Sequence, residues 1–242
     1  MSRAEFAYAQ ARMHARMDNR FSESTWRLLA SSRNFGSCID VVNQTPAARI
    51  TARMDRTYSV HAVERVLREE WSATVREMAS WLPDKWRDAT HWMAVLPHLR
   101  RFEHASESSS SFRWLRLETE FPEAAGVMGV ERKLAPPEPS VAGVWRSEWC
   151  LRLPHKRHGA QIDAALSPLL DRYLVNGTPQ ADEASKAWSH LAEYLSVLFR
   201  KHSQTPVAMF AFLGVIALDF ERLRGVFADR IIFSKPVEGE GL

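Results

Sequence analysis

Glycine and cysteine are scarce in this chain, and both scarcities narrow the classes of protein to which it can belong. There are 10 glycines among 242 residues, which argues against a glycine-rich phosphate-binding loop and against a turn-dense β fold. The two cysteines, Cys38 and Cys150, lie far apart and form neither a CxxC pair nor a metal-binding spacing. We therefore expect two reduced, buried thiols in a reducing compartment.

The sequence also lacks the short motifs that mark common enzyme classes. It contains no GxxxxGK[ST], GxGxxG, GxSxG or HExxH pattern. Adjacent acids such as Glu69 and Glu70 point apart on a helix and do not face a common cleft. Two histidine pairs are candidate metal ligands, and neither has a nearby cysteine or carboxylate set to complete the coordination: His155 with His158, and His98 with His104. The prediction is a protein that is not an enzyme, with no catalytic residue, no metal and no cofactor.

Neither a one-sided charge nor a long apolar run is present. The formal net charge is only +3, and the arginines are interleaved with acids, whereas a nucleic-acid-binding protein more often concentrates positive charge on one face. The longest apolar stretch, residues 207–218, is shorter than the roughly 20 residues that a membrane-spanning helix needs, so we expect it to be buried against other helices. The N-terminus MSRAEFAYAQARMHARM has no secretory apolar core, and the expected location is cytoplasmic.

Helical periodicity is what the sequence has in abundance. Apolar residues recur in steps of three and four, above all along residues 59–80 and 206–232. Ser22 is a capping type at the start of a helix, and Thr205 precedes Pro206, which suits a first helical position. For residues 145–153 the sequence pattern does not distinguish a helix from a strand, and both stay open. The predicted fold class is all-α, with helices at about 3–17, 22–30, 34–42, 59–80, 84–96, 161–175, 181–202 and 206–232.

Composition along the chain predicts four consecutive regions. An N-terminal helical unit covers 1–103, an irregular or shortened middle section covers 104–160, a C-terminal helical unit covers 161–233, and 234–242 is a flexible tail. The middle begins with the loop-like HASESSSS, continues through 112–132, which is compatible with a helix, and contains the proline-rich KLAPPEPSVAG. HKRH, at 155–158, is interpreted as a basic surface loop. Tryptophan is frequent, with nine copies, and the group between 71 and 92 could lock helices together.

Both ends of the chain resemble one known family. FAYAQARMHARM is similar to the start of the central-stalk adaptor of V-type and A-type ATPases, the C/d family that occurs in prokaryotes and eukaryotes. That family opens its first helix with an aromatic-x-x-A-R-x-x-A/S motif, and the matching positions here are Tyr8, Ala11, Arg12 and Ala15. WRLLASSRNFGSCIDVVNQT resembles the family's following short helices, and HAVERVLREEW resembles its next element.

The C-terminal stretch AFLGVIALDFERLRGVFADRI resembles the family's closing helix. Its matching positions are Asp219, Glu221, Leu223 and Arg224. Together the similar stretches cover roughly residues 4–96 and 165–232. Family members are usually larger, with three related helical repeats around a funnel, so the resemblance implies a body of two such units with a shortened middle. The tryptophan-rich segment 81–92 has no counterpart in the family pattern.

The resemblance implies a structural role. The family links the membrane rotor ring of a rotary ATPase to its central stalk and transmits torque, which couples ATP to proton or sodium transport, without making or breaking bonds. By resemblance this chain is a non-catalytic adaptor with no membrane span, peripheral on the inner face of the membrane, whose partners are proteins of the rotor ring and the central stalk. The implied partner contacts are Arg12, Arg16, Asp219, Glu221, Arg222 and Arg224.

Other interpretations of the same residues stay open. Each contact residue also fits a solvated helix face with local ion pairs. The whole chain also fits a stand-alone scaffold of the same fold that serves another complex. The weaker alternatives are a nucleic-acid-binding helical protein and an unrecognised helical enzyme.

Overall fold

The computed structural model describes residues 4–98, 141–154, 156–174 and 181–233. Over these residues the chain forms nine α-helices and no strand, which confirms the all-α class for the described part. Two 3-10 segments, Ala48–Ile50 and Met93–His98, lie between helices. The helices are α1 (Ala4–Asp18), α2 (Glu23–Ser31), α3 (Phe35–Asn43), α4 (Val60–Ser80), α5 (Asp84–Trp92), α6 (Val141–Arg152), α7 (Lys156–Leu174), α8 (Ala181–Lys201) and α9 (Pro206–Phe233).

Local capping explains where the first helices begin. The hydroxyl of Ser22 accepts a hydrogen bond from the amide of Thr25 at 3.1 Å, so the predicted cap of α2 is confirmed. The side chain of Asn34 does the same for α3, since its Oδ1 accepts from the amide of Ser37 at 2.9 Å. Each cap satisfies one of the amides that a helix leaves unpaired in its first turn.

The start of α9 is predicted correctly, but its capping differs from the expectation. Pro206 is the first helical residue, as its fixed backbone angle favours. The carbonyl of Thr205 accepts from the amide of Met209 at 3.4 Å. Its hydroxyl, however, donates to the carbonyl of His202 at 2.6 Å and thereby closes the turn after α8.

Proline decides where α5 ends. The predicted helix over 84–96 is α-helical only to Trp92, and Met93–His98 continues as 3-10 helix. In an α-helix the ring of Pro97 would clash with the carbonyl of residue 93. The tighter winding therefore begins at Met93.

The structure also corrects the predictions around residue 150. The stretch 145–153, for which helix and strand were open, is helical as far as Arg152, where α6 ends. The HKRH stretch is not wholly a loop, because α7 begins at Lys156, five residues before the predicted start. Lys and Arg are good helix formers, and Pro154 stands just before this start. The loop and helix expected over 104–132, and the tail 234–242, lie outside the described residues.

The chain divides into two compact units, and both are assembled from segments far apart in sequence. Unit 1 comprises Met1–Gln10 and Thr74–Val215, and unit 2 comprises Ala11–Ala73 and Ile216–Leu242. The division therefore falls inside α1, α4 and α9. These are not the consecutive ranges 1–103, 104–160 and 161–233 that composition suggested, because packing between distant helices leaves no mark on local composition.

Tryptophans from α5 and α6 form the centre of unit 1. Trp92 and Trp145 exchange hydrogen bonds, each indole Nε1 donating to the other residue's carbonyl, at 3.1 and 3.3 Å. Trp149 stacks on Trp145, meets Phe210 edge-on at 5.0 Å, and donates from its Nε1 to the carbonyl of Ala89 at 3.1 Å. Of the group between 71 and 92, Trp92 thus joins α5 to α6, and Trp86 on α5 meets Phe210 on α9 edge-on at 6.4 Å, as expected for rings that lock helices together.

Unit 2 has its own apolar core, to which the second half of α9 contributes. Leu223 and Phe227 are fully buried there, and the ring of Phe227 meets Phe35 edge-on at 5.2 Å. In unit 1, residues 207–215 at the start of α9 are all buried, as expected for this apolar stretch. Among the described helices, none is long and apolar enough to cross a membrane.

Two glycines of α9 provide a matched test of how tightly this helix packs. A Cβ at Gly214 would lie 2.7 Å from Leu169 and 3.0 Å from Leu195, whereas a Cβ at Gly225 would meet nothing within 4 Å. We expect Gly225→Ala to raise the free energy of unfolding by about 0.5–1 kcal/mol, because alanine favours helix. Gly214→Ala should instead lower it by about 1 kcal/mol, because overpacking outweighs that gain. Urea denaturation measures both, and equal gains would show that α9 does not approach α7 and α8 closely.

A second matched pair tests the hydrogen bond of Trp149. Trp86 is as fully buried as Trp149, but its Nε1 has no hydrogen-bond partner among the described residues. Substitution by phenylalanine removes similar volume at both sites. Trp149→Phe should therefore cost about 1 kcal/mol more in free energy of unfolding than Trp86→Phe, since it alone loses a hydrogen bond. Thermal and urea unfolding would reveal the difference, and equal costs would contradict it.

Candidate functional site

Four of the six predicted contact residues lie on two successive turns of α9, within unit 2. They are Asp219, Glu221, Arg222 and Arg224, and each is engaged by a side chain within that unit. The other two, Arg12 and Arg16, lie on α1, where Arg12 is exposed and Arg16 is half-buried. We refer to the four α9 residues with their partners Arg20, Glu23, Trp26 and Glu64 as the α9 charge cluster.

Asp219 and Arg20 form a two-point ion pair. The Nε of Arg20 lies 2.6 Å from one carboxylate oxygen and its Nη2 lies 2.8 Å from the other. The two side chains are only 21% and 14% exposed. Burial raises the pKa of Asp219 above its usual range, although Arg20 and then Arg222 act to lower it. The arginine fork therefore offsets part of the desolvation cost that opposes a charge at this position.

Arg222 joins α9 to α2 through an aromatic ring. Its guanidinium carbon lies 4.4 Å from the ring centroid of Trp26, a distance typical of a cation–π contact. One of its terminal nitrogens is 3.8 Å from the carboxylate of Glu23, in the first turn of α2. Arg222 thus covers one face of a buried tryptophan while its charge stays near solvent.

Glu221 and Arg224 join α9 to α4. Arg224 donates to Glu221, three residues earlier on the same helix, at 2.7 Å and lies 3.4 Å from Glu64 on α4. The side chain of Glu221 is 10% exposed, so this carboxylate is at least as well covered as that of Asp219. Both acids of this stretch of α9 are therefore bound to arginine.

Sequence patterns missed the partners of these residues. Arg20 lies 199 positions from Asp219, and Glu64 lies 160 from Arg224. Trp26 lies in the predicted helix 22–30, but that pattern gave no sign of the arginine above its ring. The charged letters DFERLR mark α9 as unusual, yet no local spacing could have indicated which distant residues neutralise them.

A second ion-pair group, in unit 1, was also missed. Arg146 on α6 binds Asp163 on α7 through two contacts of 2.6 and 2.8 Å. Its terminal nitrogens lie 3.4 Å from Ser167 and 3.7 Å from Asp171. The three α7 residues are spaced four apart, so they share the helix face that meets Arg146.

The acids of both groups are bound to arginine, and the two cysteine thiols are buried or partly buried. The carboxylates of Asp219, Glu221 and Asp163 are bound by arginines and are not poised as general bases. Cys38 and Cys150 are not disulfide-bonded, and burial is the main cause that raises the pKa of each thiol, which disfavours the reactive thiolate.

A metal site finds no support in the described part of the chain. That part holds no group of three His, Cys, Asp or Glu side chains arranged to bind a metal ion. His104 and His155, one from each candidate histidine pair, lie outside the described residues.

Comparison of the chain with protein-family models, with curated proteins and with solved structures finds no match. The residues and contacts described above are therefore the grounds for a functional proposal.

Removal of Arg20 tests the energetics of the α9 charge cluster. Arg20→Ala would leave a carboxylate buried without a partner, and we expect a loss of about 3 kcal/mol in free energy of unfolding at pH 7. The loss should depend on pH, because the folded-state pKa of Asp219, already raised, would rise further. Below the unfolded pKa of about 3.9 the carboxyl is protonated in both states and the penalty vanishes; it grows as pH rises through the folded-state pKa.

Urea denaturation of both proteins between pH 4 and 7 measures this difference. Adding Asp219→Asn to the Arg20→Ala protein is the control, and it should recover most of the stability lost at pH 7. A cost that is the same at pH 4 and pH 7 would contradict the assignment of the penalty to Asp219.

Proposed function

We propose that this protein is a non-catalytic helical adaptor of a rotary V-type or A-type ATPase, placed between the membrane rotor ring and the central stalk. The supporting observation is the Arg20–Asp219 ion pair. It joins Arg20, two residues beyond the helix that contains FAYAQARMHARM, to Asp219 in the DFERLR stretch of α9. Residues 11–17 of the first similar stretch and 216–231 of the last thus belong to one compact unit, which consists of 11–73 and 216–242.

The chemistry of the α9 charge cluster also supports a non-catalytic role. An adaptor that transmits torque needs rigid helices and charged surfaces, and it needs no reactive group. In unit 2 the acids of α9 are bound to arginines that connect it to α4 and to the segment before α2. These pairs stiffen the unit.

The six contact residues differ in how far their side chains are exposed. Asp219 and Glu221 are largely covered and act inside unit 2, so they hold the adaptor's own helices together. Arg12 is exposed and Arg16 half-buried on α1, and Arg222 and Arg224 keep about a third or more of their side chains exposed. Under the proposal, the arginines of α1 contact an acidic surface of a rotor-ring or central-stalk protein in the cytoplasm, at the inner face of the membrane.

A second candidate is a stand-alone scaffold of the same fold that serves another complex. The tryptophan-rich segment favours it, because Trp86 and Trp92 build the core of unit 1 and have no counterpart in the family pattern. Nucleic-acid binding through ring stacking is less well supported, since seven tryptophans are buried: Trp26, Trp71, Trp81, Trp86, Trp92, Trp145 and Trp149.

Co-purification from the cell of origin tests the proposal. The tagged chain, isolated from solubilised membranes, should recover the proteins of the rotor ring and the central stalk in near-equal amounts, as measured by quantitative mass spectrometry. Arg12→Glu combined with Arg16→Glu should reduce that recovery about tenfold, equivalent to about 1.4 kcal/mol of binding free energy. Arg65→Glu, on an exposed position of α4 in the same unit, is the matched control and should leave it unchanged.

The outcomes separate the two candidates. If the wild-type chain recovers a different, defined complex, that result supports the scaffold function and contradicts the ATPase adaptor function. Recovery of neither, with the chain folded and expressed at its natural level, would overturn both.

A further inference from the structure

Arg20 occupies a special position at the end of α1. The helix ends at Asp18, and the next two amides close its last turn. Asn19 donates to the carbonyl of Arg16 at 3.2 Å, and Arg20 donates to the carbonyl of Met17 at 3.3 Å. The backbone of Arg20 is therefore bonded to the last turn of α1, and its side chain leads away to α9.

Asp219 provides a fixed anchor for that side chain. Its neighbours along α9, Leu218 and Leu223, are buried at 3% and 0% exposure, so the helix beneath the carboxylate cannot easily shift. Both carboxylate oxygens bind the guanidinium. A two-point contact fixes the orientation of the arginine as well as its distance, which a single contact would not do.

The link acts on the residues that face the partner. At a rise of about 1.5 Å per residue, Arg16 lies about 3 Å and Arg12 about 9 Å along the helix from Asp18, where α1 ends. A constraint applied to Arg20 thus fixes the last turns of α1, on which both arginines lie. A surface held in its bound conformation loses less conformational entropy on association and binds more tightly.

We propose that Arg20 and Asp219 are positioning residues, which hold the end of α1 on α9 so that Arg12 and Arg16 meet an acidic partner surface in one orientation. This inference rests on the proposed adaptor function. It assigns to the pair a role in recognition in addition to its place in unit 2. Neither residue needs to touch the partner.

The energetics of the pair agree with such a role. Removing a carboxylate and a guanidinium from water is costly, and an apolar pair of similar volume at such a place is often as stable or more so. Stability alone therefore gives no reason for a charged pair here. What the charged pair provides, and an apolar pair does not, is a directional contact that permits one arrangement of α1 on α9.

The test compares two variants in which charged side chains are replaced by uncharged ones. Arg20→Ala combined with Asp219→Asn removes the link without leaving a buried charge, so the chain should still fold. Glu221→Gln is the matched control, since it changes an equally covered acid on the same helix whose arginine partner leads to α4. Amide hydrogen exchange over residues 11–20 is measured by mass spectrometry, together with the free energy of unfolding.

We expect exchange over 11–20 to become about tenfold faster in the double variant and to stay unchanged in Glu221→Gln. Affinity for the ATPase components should fall about tenfold in the double variant, although Arg12 and Arg16 are intact. Unchanged exchange over 11–20 would overturn the positioning role. Faster exchange with unchanged affinity would overturn its part in recognition.

Failure of the proposed function gives a different result. In that case the wild-type chain binds no ATPase component, while the exchange measurement still decides whether the pair orders the end of α1.

Discussion

The burial of α9 is the constraint on which the rest of the structure depends. Its first half is buried throughout residues 207–215 in unit 1, and its second half buries Leu223 and Phe227 in unit 2. A helix so enclosed cannot leave its charged residues unpaired, because an isolated buried charge is very costly. The ion pairs of unit 2 follow from this requirement. The glycine at position 214 follows from the burial itself, because Leu169 and Leu195 leave no room for a side chain there.

The charge cluster also gives α9 its connecting role within unit 2. Asp219 holds the chain just after α1, Arg222 lies over Trp26 of α2, and Arg224 reaches Glu64 of α4. Three helix regions are thus tied to two turns of one helix by contacts that are each directional. The proposed adaptor role would require such stiffness. In that proposal the interior members of the cluster serve positioning, and Arg12 with the half-buried Arg16 serves recognition.

The fold was more predictable than the candidate site. The apolar steps of three and four along 206–232 and 59–80 gave both long helices within one residue at each end, because that periodicity is a direct consequence of helix geometry. Two predicted helix boundaries were wrong. A steric clash at Pro97 ended α5 at Trp92, and α7 began inside HKRH. For the site, the sequence identified Asp219 and Arg222 as candidate contact residues. It did not identify Arg20 as the partner of Asp219, and it did not show which residues of the α9 charge cluster are covered and which are exposed.

The sequence by itself determined most of the helices, the cap at Ser22 and the burial of the apolar half of α9. These depend on interactions that span at most a few residues, and such interactions leave a readable local pattern. Only the tertiary structure decided that the units combine both ends of the chain, that Trp92 and Trp145 exchange hydrogen bonds, and that Arg20 neutralises Asp219. Those contacts join residues 53 and 199 positions apart, and at such separations only the packing of whole helices selects which side chains meet.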